Sequence, residues 1–128
     1  MTRSGERYRI VLVTCASIGE ARRIARNVVE KRLVACANLF RGGVESIYRW
    51  KGKVERAREI LVVMKTSEAR LQELEREVKR LHSYEVPEFI VLSIAAGSRE
   101  YLAWIGESVN PVRSACVRRR GALGRGRR

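Results

Sequence analysis

The sequence predicts an α+β fold from three observations. Apolar runs of strand length recur along the chain, two amphipathic helical stretches separate them, and the order is β-α-β-β-α-β. That order is the ferredoxin-like split, a sandwich of one sheet and two helices. Here it carries a long hairpin arm and a short C-terminal helix. At 128 residues and 45% hydrophobic content, the chain is long enough to bury one core.

Tyr8 to Cys15 (YRIVLVTC) opens the pattern as a β-branched run buried on both faces. Ser17-Ile18-Gly19-Glu20 then fits a capping box, Ser17 as N-cap and Glu20 reaching back. Ala21, Ile24, Ala25, Val28 and Val29 follow on one helical face. A second strand starts near Leu33, and the short strand–helix–strand connections predict that it pairs parallel with the first. This strand crosses Gly42-Gly43 and resumes as Ser46-Ile47-Tyr48-Arg49-Trp50 before a Lys51-Gly52 turn. A strand that bends at a glycine pair and resumes with aromatics is a kinked hairpin arm, too long for so small a domain to cover alone. Glu59 to Lys65 returns antiparallel to it. Thr66-Ser67 is read as the next helix cap, and Leu71, Leu74, Val78 and Leu81 form that helix's apolar stripe. Pro87 stops the region, Phe89 to Ala95 is the fourth strand, and a last helix begins at Ser98. The domain therefore spans residues 8–110. Residues 111–128 have no apolar period and are expected to be a disordered basic tail.

The formal charge of +13 is concentrated at that tail, whose eighteen residues hold seven arginines and no acid. All fourteen acids are glutamate, and arginine outnumbers lysine 22 to 5. Few amides accompany them, a composition resembling that of thermophile proteins. The N-terminus lacks the apolar stretch of a secretion signal, and no run is long enough to span a membrane, so a cytoplasmic location is expected. Three scattered cysteines, Cys15, Cys36 and Cys116, form neither a disulfide framework nor a metal knuckle, and reduced thiols are expected.

No nucleophile triad, phosphate-cradling glycine loop or carboxylate pair is present. His82 is the only histidine, so a metal centre of several histidines would need several copies of the chain. It sits where a helix ends, a place where a histidine caps carbonyls and complements the dipole. Alternatively it contacts a metal or anion at a cleft edge, with Tyr84, Glu85 and Glu88 nearby. Cys36, among small apolar neighbours, reads as a buried hydrophobe; as a ligand it would favour copper(I) or a similar soft ion. Tyr48, Trp50 and Trp104 would stack bases or fill a subunit interface. The third strand, REILVVMK, lacks the aromatic-and-glycine pattern of RNA-recognition domains, which favours the interface.

Residues Arg32 to Leu39, Ser46 to Lys53, Lys65-Thr66, Leu81 to Glu88 and Tyr101 to Ile105 resemble, in order and spacing, the CutA divalent-cation tolerance proteins. The resemblance runs from about Ile10 to Val109. It implies a ferredoxin-like homotrimer whose arms extend neighbouring sheets, linked to tolerance of copper and other divalent cations, without enzymatic activity. It further implies His82 and Cys36 as metal-site positions, and Lys65, Tyr84 and Glu59 as lining an inter-subunit cleft. Tyr48 and Trp50 would then lie in the trimer interface. The architecture is also similar to the trimeric PII signalling proteins, which implies as the alternative a small anionic effector held in that cleft. Ala16-Ser17 departs from the Pro-Asp pair of many members, and Cys15 does not align with a cysteine that some members carry. The tail lies outside the resemblance; its arginines would bind nucleic acid non-specifically, through phosphates, if at all.

Overall fold

The computed structural model describes residues 2–5 and 7–110; the expected disorder of 111–128 falls outside them. The elements are β1 (Thr2–Ser4), β2 (Tyr8–Cys15), α1 (Ile18–Glu30), β3 (Cys36–Trp50), β4 (Lys53–Ser67), α2 (Leu71–Leu81), β5 (Ile90–Ser93), β6 (Ala96–Ser98) and α3 (Arg99–Ser108). A 3-10 turn over Glu68–Arg70 leads into α2. The predicted α+β order is present, with β1 and β6 added as a small antiparallel pair.

The main sheet runs β3-β4-β2-β5, antiparallel at every pairing. This corrects the expected parallel pairing of the first two long strands: β4 lies between β2 and β3. A two-residue turn forces β4 against β3, and the α1 crossover then passes over β4 to reach β3. Thr66 is a second correction. It caps no helix; its hydroxyl donates to Leu33 O at 2.7 Å. Strand alternation settles this, because Thr66 follows Val62 and Met64 onto the buried face. Ser67 does occupy the N-cap of the 3-10 turn, without a side-chain bond to it.

The core lies on one side of the sheet. Val11, Val13, Cys15, Ile60, Val62 and Met64 face α1 and α2, against Ile24, Val28, Leu74 and Val78. Ser17 caps α1 as expected, accepting from Glu20 N–H at 3.1 Å, while the Glu20 carboxylate accepts from Ala16 N–H at 3.2 Å. Neither α1 nor α2 covers the other side of the sheet, which α3 meets at Tyr8 beside Gly106. Register places Ile10 and Leu12 of β2 beside Lys65 and Val63 of β4 and beside Leu92 and Ile90 of β5. Cys36, Asn38 and Phe40 of β3 continue the same rows. Phe40, Ile90 and Leu92 are 51%, 46% and 44% exposed, so this face is apolar and open.

The arm forms as read. Each of its strands has 15 residues, about 50 Å of extended chain at the usual strand rise. Lys51 and Gly52 both take positive φ, 50° and 81°, the pattern of the two-residue turn that matches strand twist. Between Phe40 and Val44 the register slips, and Arg58 donates to Gly42 O at 2.8 Å across the bulge. Gly43, at φ 86°, supplies the left-handed residue there.

The ends of the two helices are tied by Glu77 of α2, which accepts from Arg80 at 2.6 Å and from Lys31 at 2.9 Å. Those bonds, Arg80's first, hold the Glu77 carboxyl down at about 2, against an ordinary 4.5. The unfolded chain therefore takes up this proton before the folded one does. The stability Glu77 contributes is whole above pH 4.5 and is lost as the pH falls toward about 2. Glu77→Gln is expected to unfold earlier than the parent at pH 6, the gap closing in acid and in high salt; thermal melts across that range check it.

Candidate cation-accepting cleft

The candidate site is built by the loop that follows α2. His82 caps the helix C-terminus, its N–H donating to Val78 O at 2.9 Å. Its backbone is already extended, so the chain turns away toward the open end of the sheet. Three bonds pin the loop to three elements. His82 Nε2 lies 2.8 Å from Thr14 O at the end of β2, and since a carbonyl only accepts, that nitrogen donates. Ser83 N–H donates to Glu20 Oε2 at 2.7 Å, at the start of α1. The Tyr84 hydroxyl donates to Glu59 Oε2 at 2.7 Å, on β4.

These bonds assign the histidine. Nδ1 accepts from Tyr84 N–H at 3.1 Å, which leaves the proton on Nε2. Both ring nitrogens are engaged, and the side chain is fully buried. The helix-capping alternative thus describes the backbone of His82, while its ring is a bracket between β2 and the loop.

Between this loop and the arm lies a cleft of about 790 Å³. Tyr84, Glu85, Pro87 and Glu88 line it from the loop, and Ser46, Ile47, Tyr48 and Trp50 of β3 with Glu59 of β4 line it from the hairpin. Its ionisable groups are three carboxylates and two phenols. Burial pushes the Glu88 carboxyl up, and the charge of Glu59 adds to that. Burial likewise pushes the Tyr84 phenol up, helped by its bond to Glu59. Burial also pushes Glu20 up, but the amides of Ser83 and Ala16 outweigh it and hold that carboxylate below its ordinary range. The cleft is therefore suited to cations.

The structure brings Glu59, Tyr84, Tyr48 and Trp50 together here, with His82 directly behind Tyr84, ring centroids 4.7 Å apart. Lys65 and Cys36 lie elsewhere. They are cross-strand partners level with Ile10, four strand residues from Thr14, or about 13 Å. There Lys65 Nζ donates to Asn38 Oδ1, and Cys36 Sγ is 3.7 Å from the same oxygen. Cys15 is buried, its thiol pushed up to about 12 by burial and the nearby Glu20 and Glu59 charges. Among the described residues no three His, Cys, Asp or Glu side chains gather as a metal set. A single chain thus offers no ready coordination sphere. Glu85 and Glu88 stand near His82 as their place in the sequence suggests, whereas Thr14 and the second role of Glu20 carry no local signal in the sequence.

Comparison with known proteins adds the family. The profile of the CutA1 divalent ion tolerance proteins matches residues 9–108. The divalent-cation tolerance protein CutA of Thermus thermophilus is 46% identical over 99 residues, covering 77% of this chain and 95% of that protein. The structure of CutA from Synechococcus elongatus superposes with a TM-score of 0.81 at 30% identity, covering 86% of this chain and 96% of that one. The structure described as the periplasmic divalent cation tolerance protein CutA from Archaeoglobus fulgidus gives 0.78 at 38%, over 80% and 99%. On sequence and on fold, the chain belongs to the CutA1 divalent ion tolerance family.

Proposed function

We propose that this protein is a non-enzymatic homotrimer serving the response to and tolerance of divalent metal ions, and that it binds copper or another divalent cation weakly. The observation that carries the reading is the open, apolar sheet face, flanked by the outer edges of β3 and β5. A symmetric partner covering that face would bury Phe40, Ile90 and Leu92 and bring further copies of Cys36 near one another, supplying the ligands that one chain lacks. The arm, with Tyr48 and Trp50, would reach a neighbour and close the cleft between subunits. Membership of a divalent-cation tolerance family supports the cation side of the reading. The three cleft carboxylates weigh against a small anionic effector there, and Lys65 does not line this cleft.

Copper titration calorimetry on the parent, Cys36→Ser and His82→Gln, with sedimentation on each, tests the reading. Parent sedimentation at three times 14.6 kDa and weak binding lost in one variant are expected. Identical isotherms in all three would remove both residues from the site.

A further inference from the structure

The metal reading leaves the acidic cleft without a partner in the single chain and the arginine-rich tail without a role. Glu59 lines the cleft at 8% exposure, bonded to Tyr84 but to no cation. Among the described residues, none of the ion pairs involves Glu59, Glu85 or Glu88. That is unusual in a chain of net charge +13, where arginine and lysine are plentiful. Three carboxylates that line one cleft with Tyr48 and Tyr84 make up chemistry that recognises guanidinium, while the Trp50 ring already carries Lys51 Nζ at 5.7 Å. Carboxylate oxygens accept its paired N–H donors, and aromatic faces stack on its plane.

We propose that the cleft is the docking site of the chain's own tail, residues 111–128, whose arginines would pair with Glu85 and Glu88. Charge complementarity carries the proposal: the tail holds seven arginines and no acid, and the residues with which one chain lines the cleft include three acids and no base. Reach permits it. Asn110 shares a pocket with Tyr8 and Ser67, and Thr14 lies six strand residues beyond Tyr8, about 20 Å. Eighteen residues span up to about 60 Å. The tail begins past residue 108, where the family match ends. Docking does not depend on metal binding; a docked tail would compete with any cation for the same carboxylates.

The test uses the full chain carrying Cys36→Ser, with a nitroxide on Cys116; buried Cys15 stays unlabelled. Amide spectra are compared with the label oxidised and reduced, in chelator, so that no metal contributes. Amide signals of Ser83 to Val86 and of Glu88 are expected to be lost in the oxidised state, and to persist when Glu85→Gln and Glu88→Gln are introduced together. Signals untouched in the parent, or lost equally in the double variant, would overturn the proposal. So would cleft signals that stay sharp while the label is immobilised only on adding a DNA duplex, which would assign the tail to a polyanion.

Discussion

Val63→Arg is expected to convert the proposed trimer to single chains. Val63 stands at the centre of the open sheet face, with Leu12 and Asn38 as its direct cross-strand neighbours. Ile10, Leu61, Phe40, Ile90 and Leu92 surround it in the same rows. In an isolated chain Val63 is half-buried on the open face, where a longer arginine can carry its guanidinium out to solvent at little cost to the monomer fold. In an oligomer built on this face it would be buried without a carboxylate partner, a cost of several kcal/mol per subunit. Symmetry repeats the charge in every subunit and adds repulsion between copies. The about 1.5–3 kcal/mol that covering Val63 itself would return is lost as well. The balance therefore turns against association. Sedimentation should give the mass of one chain, with far-ultraviolet dichroism close to the parent's. Val63→Ile, which keeps the apolar surface, should stay assembled. If Val63→Arg still sediments at three chain masses, the open face is not the interface.

What the sequence revealed and what it hid divide along sequence separation. The β2 run, the α1 stripe with its Ser17 cap and the Lys51-Gly52 turn are local patterns, and each is present in the structure, except that Val29 of the stripe is exposed and β2 is buried on one face instead of two. Sheet order is not local: the strand–helix–strand unit looked like a paired parallel unit because nothing within it shows that β4 will intervene. The β1–β6 pair was invisible because three-residue strands carry no period. Thr66 looked like a cap because threonine at a strand–helix junction commonly is one, and only the strand's alternation sends its hydroxyl to Leu33. The cleft was harder still. The residues gathered around His82 were legible as neighbours because they are consecutive, but the bonds that shape the site join residues 68, 63 and 25 positions apart. Such pairings are products of the finished sheet, which is why a histidine read as a possible ligand proves to have both ring nitrogens bonded within the fold.

His82→Ala is accordingly expected to act first on folding and only then on any bound ion. The substitution removes the donor to Thr14 O and the acceptor of Tyr84 N–H together, both in a buried setting. Each polar group left unpaired costs about 1–3 kcal/mol, and the vacated ring volume adds to it. A total of about 3 kcal/mol is expected from urea unfolding, a large share of a small domain's stability. The damage should spread along the loop, because Tyr84 loses its ring neighbour and its grip on Glu59 loosens. His82→Gln separates the bracket from the ligand: its amide nitrogen still donates to Thr14 O, so about 1 kcal/mol is expected. It lacks imidazole, so a histidine-dependent copper site should still be lost. If alanine costs as little as glutamine, the bracket does not hold the loop. If glutamine restores stability and copper binding together, the ring acts through the architecture of the cleft and touches no metal.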